Sequence, residues 1–173
     1  MEEGQAQVAS SSTAAAAQEV SPALRQRTMD FHPTNTDSPV EQENMTLHLS
    51  VRCFVDYVLL FVTEDETCAP GVVLRYDTPV VGPGAFMYDG ETPSLDFTVL
   101  LGLRDHPLTN MLASSIAHRI RRYGELRPLL MGLSVVQSAK KLTNASTRKE
   151  FLNFVTSQLL DLAGEVCDPH WKP

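Results

Sequence analysis

The chain has 173 residues, of which 43% are hydrophobic and 20% are charged, and its net charge at neutral pH is −7. This length predicts a single domain, and the apolar content is sufficient for a packed core. The acidic balance argues against a nucleic-acid-binding protein, because such domains usually carry a basic excess, and it favours basic protein partners instead.

The first 45 residues are rich in Ala, Ser, Gln, Glu, Pro and Thr and show no sustained hydrophobic period. A segment of this composition cannot bury enough apolar surface to offset the entropy lost on ordering. We therefore predict a disordered tail over residues 1–45, a single domain over residues 46–166 and a C-terminal tail over residues 167–173.

Strand signals begin with LHLSVRCFVDY, in which alternate residues from Leu47 onward are apolar. Such alternation is typical of a half-buried strand in an antiparallel sheet. YVLLFVT is more uniformly apolar and predicts a deeper strand, EDETCAPG reads as a hairpin loop, and GVVLRYD predicts a third strand.

The segment Thr78–Pro93 contains three prolines and three glycines, which are incompatible with a regular central element. A loop of this length is often functional, and it carries Phe86 and Tyr88. These aromatic side chains either contact a partner or fold back on the core of their own domain, and the sequence favours neither.

A fourth strand, LDFTVLLG, leads into an amphipathic helix. We expect Asp105 to cap this helix, Pro107 to occupy its first turn and Gly124 to end it. LLMGLSVV then predicts a central strand, and the spacing of Thr147 and Glu150 predicts a capping box for a last helix that ends at Gly164.

These elements predict an α+β fold in the order β-β-β-β-α-β-α, with two helices on one face of a mostly antiparallel sheet. The apolar strands supply more hydrophobic side chains than one face of the sheet can hold. The other face is therefore predicted to serve for dimerisation.

No catalytic, metal or cofactor site is predicted. Asp105 and His106 are adjacent, which is awkward for a triad, and His118 lies on a helix face where solvated residues are expected near Ser114 and Ser115. The five histidines lie in different elements, and no Cys-x-x-Cys pair occurs. Free thiols are expected for the three cysteines, which are Cys53, Cys68 and Cys167.

Neither secretion nor membrane insertion is predicted. The opening MEEGQAQVAS is acidic where a signal peptide is basic. The longest apolar run, YVLLFV, is far shorter than the roughly 20 residues that a spanning helix needs. We expect the chain to be cytoplasmic or nuclear.

Three stretches together resemble the proteasome assembly chaperone 3 family. YVLLFVTEDETCAPGVVL is similar to its paired second and third strands, VLLGLRDHPLTNMLASSIAHRI to its strand, Leu-Leu-Gly turn and helix, and RPLLMGLSVV to the strand that follows. The resemblance spans residues 47–162 and includes the C-terminal helix. The related proteasome assembly chaperone 4 shares the Leu-Leu-Gly-to-helix pattern, so the third and fourth types both stay open. The long N-terminal tail and the insertion at 78–93 depart from the family pattern.

The resemblance implies a non-enzymatic chaperone of 20S proteasome α-ring assembly. Such a chaperone acts as a homodimer or as a heterodimer with a paralogous chain, with the sheets facing each other, and binds α-subunits transiently. Its dimer interface would involve Tyr57, Leu59 and Phe61, or else their opposite-face neighbours Val58, Leu60 and Val62. Further candidate contacts are Phe86 and Tyr88 in the long loop, and Lys140 and Lys141 in the loop before the last helix.

Two other functions are compatible with the sequence. One is a dimeric scaffold or regulatory module of the trafficking-regulator type, which is also a helix-covered sheet. The other is a small hydrolase that uses Ser114 or Ser115 with His118.

Overall fold

Six strands and three helices form the part of the chain that the computed structural model describes, which comprises residues 24–34, 44–66, 69–77, 96–102 and 106–167. The strands are β1 (Leu24–Phe31), β2 (Met45–Cys53), β3 (Val58–Thr63), β4 (Val72–Tyr76), β5 (Phe97–Leu101) and β6 (Leu129–Ser134). The helices are α1 (Pro107–Arg122), α2 (Val136–Lys141) and α3 (Ala145–Gly164). The predicted α+β class is confirmed, with β1 and α2 as additional elements.

All six strands belong to one sheet, in the order β1-β2-β3-β6-β4-β5. β3 and β6 pair in parallel, and the other four neighbouring pairs are antiparallel. β6 therefore lies in the middle of the sheet, as its uniformly apolar sequence predicts, and it separates β3 from the β4–β5 hairpin.

The helices cover one face of this sheet, which we call the first face. Its central side chains are Leu47, Leu49, Val51, Val58, Leu60, Val62, Leu129, Met131 and Leu133, all of which are fully buried. They form one cluster with Leu112, Ile116 and Ile120 of α1 and with Phe151, Val155 and Leu159 of α3. Burial of this apolar surface supplies the main driving force for folding.

β1 lies within the segment predicted to be a disordered tail. Arg27 reaches across to α3, where its guanidinium donates to Oε1 of Gln158 at 3.1 Å and to Oε1 of Glu165 at 2.9 Å. Phe31 is buried and contacts the ring of Phe151, with 5.3 Å between the centroids. The strand is therefore held by pairing with β2 and by contacts to the last helix; residues 1–23 and 35–43 lie outside the described ranges.

α1 is capped by His106 rather than by the predicted Asp105, which lies outside the described residues. The backbone N–H of Thr109 donates to Nδ1 of His106 at 3.3 Å, and Pro107 occupies the first turn as expected. Gly124 follows the helix with φ 82°, so the predicted left-handed stop is confirmed.

The cap of α3 lies three residues before Thr147, the predicted cap. Asn144 is the cap, and its side-chain oxygen accepts from the N–H of Ser146 at 2.9 Å. Thr147 lies in the first turn, and the carboxylate of Glu150 instead accepts from the hydroxyl of Thr34 at 2.7 Å. The predicted end at Gly164 is confirmed.

The prediction of unlinked cysteines is wrong for Cys53 and Cys167, which form a disulfide with a Cα–Cα distance of 5.5 Å. The bond ties the end of β2 to the turn after α3 across 114 residues of sequence. Cys68 lies outside the described ranges. Among the helices of these ranges, none combines the length and hydropathy required to cross a membrane.

Replacing Cys53 with Ser is expected to lower the free energy of unfolding under oxidising conditions by about 2–5 kcal/mol, because a long loop of the unfolded chain is no longer closed. Urea denaturation measures this difference, which should vanish when both proteins are reduced. Cys68→Ser is the matched control and should retain the Cys53–Cys167 link in an unreduced peptide map. An unchanged denaturation midpoint for Cys53→Ser would contradict the expectation.

Candidate interaction surface

The sheet face opposite the helices, which we call the second face, carries an apolar patch at its centre. Strand register places the residues of this patch beside one another: Leu59 pairs with Leu130, Phe61 pairs with Gly132, and Gly132 pairs with Val73. We call the four side chains Leu59, Phe61, Val73 and Leu130 the second-face patch. Each of them is half-buried, and no helix of the described residues covers this face.

This placement separates the two sets of candidate interface residues on β3. Val58, Leu60 and Val62 are fully buried beneath the helices, whereas Leu59 and Phe61 belong to the second-face patch. A strand exposes alternate side chains to opposite faces of its sheet, so only one set can contact a partner. Of the two, the set containing Leu59 and Phe61 is the one available for an interface.

Gly132 shapes the centre of the second-face patch. A Cβ added at this position would lie 2.4 Å from Cδ1 and Cε1 of Phe61, so the phenyl ring of Phe61 lies directly across the backbone of β6. A larger residue would lift this ring away from the sheet. The glycine therefore keeps the patch flat, which is the shape that a second sheet can pack against at about 10 Å.

Arginine side chains flank the second-face patch on both sides. Arg52 pairs with Leu59 in the register of β2 and β3, and Arg75 pairs with Leu130 in the register of β4 and β6. Arg75 forms an ion pair with Asp77 at 2.8 Å. An apolar centre with a charged rim is the usual composition of a protein–protein interface.

Tyr57 lies in the turn between β2 and β3, at one end of the second-face patch. Its ring stacks on that of Phe54, with 4.4 Å between centroids and 18° between planes. The guanidinium of Arg52 lies 5.2 Å from the Phe54 ring centroid, within cation–π range. Tyr57 is half-buried and held in place by this stack.

Arg127 and Glu125 hold the turn between β2 and β3 in place. Nη1 of Arg127 donates to the backbone carbonyl of Phe54 at 2.5 Å, while Nη2 and Nε donate to the two carboxylate oxygens of Glu125 at 2.5 and 2.8 Å. Burial alone would raise the pKa of the Glu125 carboxyl. The hydrogen bonds and positive charge of Arg127, with a smaller contribution from Arg121, outweigh burial and lower that pKa below its ordinary value of 4.5.

The remaining candidate contacts are Phe86, Tyr88, Lys140 and Lys141. Phe86 and Tyr88 fall outside the described residues. Lys140 and Lys141 lie in the last turn of α2, a short helix, rather than in a loop. The lysines therefore belong to the helix layer and do not adjoin the second-face patch.

The candidate catalytic residues are not assembled into a triad in the described part of the chain. The hydroxyl of Ser115 contacts the hydroxyl of Thr156 at 3.1 Å, which joins α1 to α3. Nδ1 of His106 contacts the hydroxyl of Thr109 at 2.7 Å within the cap of α1. Both contacts stabilise helices, and within the described ranges no group of three or more His, Cys, Asp or Glu side chains could hold a metal ion.

Sequence reasoning did not single out Val73 and Leu130 as surface residues. The uniformly apolar sequence of β6 could have indicated Leu130, because it predicts apolar side chains on both faces of the sheet. Their contact with Leu59 and Phe61 depends on the parallel pairing of β3 with β6. That pairing joins segments about 70 residues apart and leaves no local pattern.

Comparison with known proteins finds a similar fold in a solved structure. No family model and no curated protein sequence matches the chain. One matching chain comes from the crystal structure of a chaperone complex for yeast 20S proteasome assembly. The similarity covers 78% of this chain and 98% of that chain, with a TM-score of 0.50 and 16% sequence identity. At this identity the likeness establishes a shared fold.

Replacing Glu125 with Gln is expected to destabilise the protein by about 1–3 kcal/mol at neutral pH, because Arg127 loses a charged hydrogen-bond partner. The lowered pKa means that the carboxylate contributes stability above pH 4.5 and that this contribution is lost as the pH falls through the folded-state pKa. Denaturation at several pH values should therefore show that the free energy of unfolding falls less below pH 4.5 in the variant than in the wild type. The exposed Glu66→Gln is the control, and equal acid sensitivity of Glu125→Gln and wild type would contradict the assignment.

Proposed function

We propose that this protein is a non-enzymatic chaperone that assists assembly of the 20S proteasome α-ring. It pairs through the second face of its sheet with a paralogous chain or a second copy of itself, and it binds proteasome α-subunits transiently. The second-face patch is the observation that carries this proposal, because it is apolar, flat and not covered by the helices that bury the first face.

The shared fold supports the same proposal. The similar yeast chain belongs to a chaperone complex for 20S proteasome assembly, and nearly its whole length is matched. The resemblance of three sequence stretches to proteasome assembly chaperones is an independent argument from the sequence. The described residues offer no assembled catalytic triad that would favour an enzyme instead.

Pairing of two such sheets would bury the second-face patch of each. Leu59, Phe61, Leu130 and Val73 would form the dry centre, and Arg52 and Arg75 would lie at the rim. Apolar area removed from water stabilises association, although ordering of side chains and loss of rotational freedom offset part of the gain. The helices would then lie on the outside of the pair, where they remain accessible to α-subunits.

We place the action of the protein in the cytoplasm or nucleus, with no cofactor and no membrane or nucleic-acid partner. A trafficking-type scaffold would use a comparable sheet and differ in the proteins it binds. The identity of the bound proteins therefore distinguishes the two functions.

The double replacement Leu59→Asp and Leu130→Asp is expected to weaken pairing by at least about a hundredfold, because two charges would be buried at the centre of the interface. Light scattering after gel filtration measures the loss of the dimer, and circular dichroism checks that the fold is retained. Leu126→Asp, at a position 55% exposed and outside the second-face patch, is the control and should leave pairing unchanged. A dimer that survives the double replacement would contradict pairing through this face.

Affinity capture of the tagged chain from cells, followed by mass spectrometry, is expected to recover 20S α-subunits and a small paralogous chain. The Leu59→Asp/Leu130→Asp variant should lose the paralogue. Recovery of a small GTPase or a membrane-tethering complex would favour the trafficking scaffold. Recovery of neither set of partners from cells that assemble proteasomes would overturn the proposal.

A further inference from the structure

An open cleft of about 190 Å³ lies where α1 and α3 begin and α2 ends. Its walls are formed by His106, Pro107, Leu108, Met111, Ala139 and Arg148. Met111 lies in α1 one residue before the fully buried Leu112, but its own side chain is 49% exposed. An apolar side chain in this position lines the cleft instead of the core.

The size of the cleft indicates its occupant. Sites for drug-sized ligands and cofactors usually measure roughly 300–1,000 Å³. A volume of about 190 Å³ is smaller than this range. It suits one large apolar side chain, with Leu108, Met111 and Pro107 as its contacts.

The described residues that line the cleft include one cation, Arg148, and no carboxylate. Lys140 and Lys141 follow the cleft-lining Ala139 in α2, and Lys149 follows Arg148 in α3. Nε of Arg148 donates to the carbonyl of Leu142 at 2.6 Å, which orients the guanidinium group beside the cleft. In a chain with a net charge of −7, such a concentration of cations favours an acidic partner segment.

The acidic side chains that contact α2 and α3 here already have hydrogen-bond donors. The carboxylate of Glu64 accepts from the backbone N–H of Gln137 at 2.8 Å and from that of Ser138. Glu150 accepts from Thr34. These two carboxylates are thus hydrogen-bonded within the domain.

We propose that this basic cleft is the docking site for an acidic segment of the client subunit, which inserts one large apolar side chain beside Met111. The inference rests on the proposed chaperone function and adds the surface and the chemistry of client recognition. Because the cleft belongs to the helix layer and the second-face patch to the opposite side of the sheet, the two sites can be occupied at the same time.

The test uses the full chain with each purified 20S α-subunit in turn, with binding measured by calorimetry or by biolayer interferometry. Met111→Glu introduces a charge into the cleft, and Lys140→Glu/Lys149→Glu reverses two charges at its rim. Each variant is expected to weaken binding of the cognate α-subunit at least about tenfold. Binding to the wild type should also weaken as salt is raised, because the rim charges are exposed.

Arg122→Glu is the matched control, because Arg122 is exposed on the last turn of α1, at the end remote from Met111. It should leave binding of the α-subunit unchanged. Leu59→Asp/Leu130→Asp, which alters the second face, is the second control. It should reduce pairing of the chaperone chains without removing the direct contact to the α-subunit.

The outcomes separate this inference from the proposed function. If the wild type binds no α-subunit, the chaperone assignment itself is wrong. If the wild type binds and both cleft variants bind equally well, the chaperone function stands and the docking site is elsewhere. If the cleft variants lose self-association or the paralogous partner, the cleft belongs to the interface between chaperone chains, which also overturns the inference.

Discussion

Two long helices can cover only one face of a six-stranded sheet, and the other properties of this protein follow from that limit. α1 and α3 bury the central side chains of the first face completely. The alternate side chains of the same strands then necessarily point away from the helices. Because β3 and β6 are apolar at both sets of positions, the second face is hydrophobic at its centre. Exposed apolar patches of this kind are typical of protein–protein interaction sites.

The sequence predicted those parts of the fold that have a local pattern. The alternation in β2, the apolar stripe of α1 and the glycine stops at Gly124 and Gly164 depend on neighbouring residues, and each is confirmed, except that Met111 of the α1 stripe is exposed. β1 was missed because two of its inward positions are Arg25 and Arg27, whose partner Glu165 lies near the other end of the chain. Charged residues at inward positions conceal the alternation that would otherwise predict a strand.

Long-range contacts explain the other errors. Cys53 and Cys167 are 114 residues apart, and no spacing rule relates them. The cap of α1 is the exception, because it depends on a local contact: Nδ1 of His106 accepts from the N–H of Thr109, although aspartate is generally the preferred cap. For the candidate interface, the sequence identified Leu59 and Phe61 but could not choose their face, since that choice is made by the helices that pack on β3.

Whether the Cys53–Cys167 disulfide forms depends on the redox state of the compartment that holds the protein. Bonds of this kind are rare in the reducing cytosol and persist in oxidising compartments. The Cα–Cα distance of 5.5 Å between the two cysteines lies within the usual range for a disulfide. In a reducing compartment the ion pairs from Glu165 to Arg25 and Arg27 would hold the end of α3 near β1.

The position of β6 between β3 and β4 determines when the sheet can close during synthesis. β6 is the last strand to be made, yet it supplies the hydrogen bonds that join the β1–β2–β3 meander to the β4–β5 hairpin. Until residue 134 has left the ribosome, the nascent chain holds two separate sheet fragments with unpaired inner edges, and such edges are prone to mispairing. The chain would thus pass through a vulnerable, partly formed state, and its yield in the cell should depend on how quickly residues 102–134 are translated.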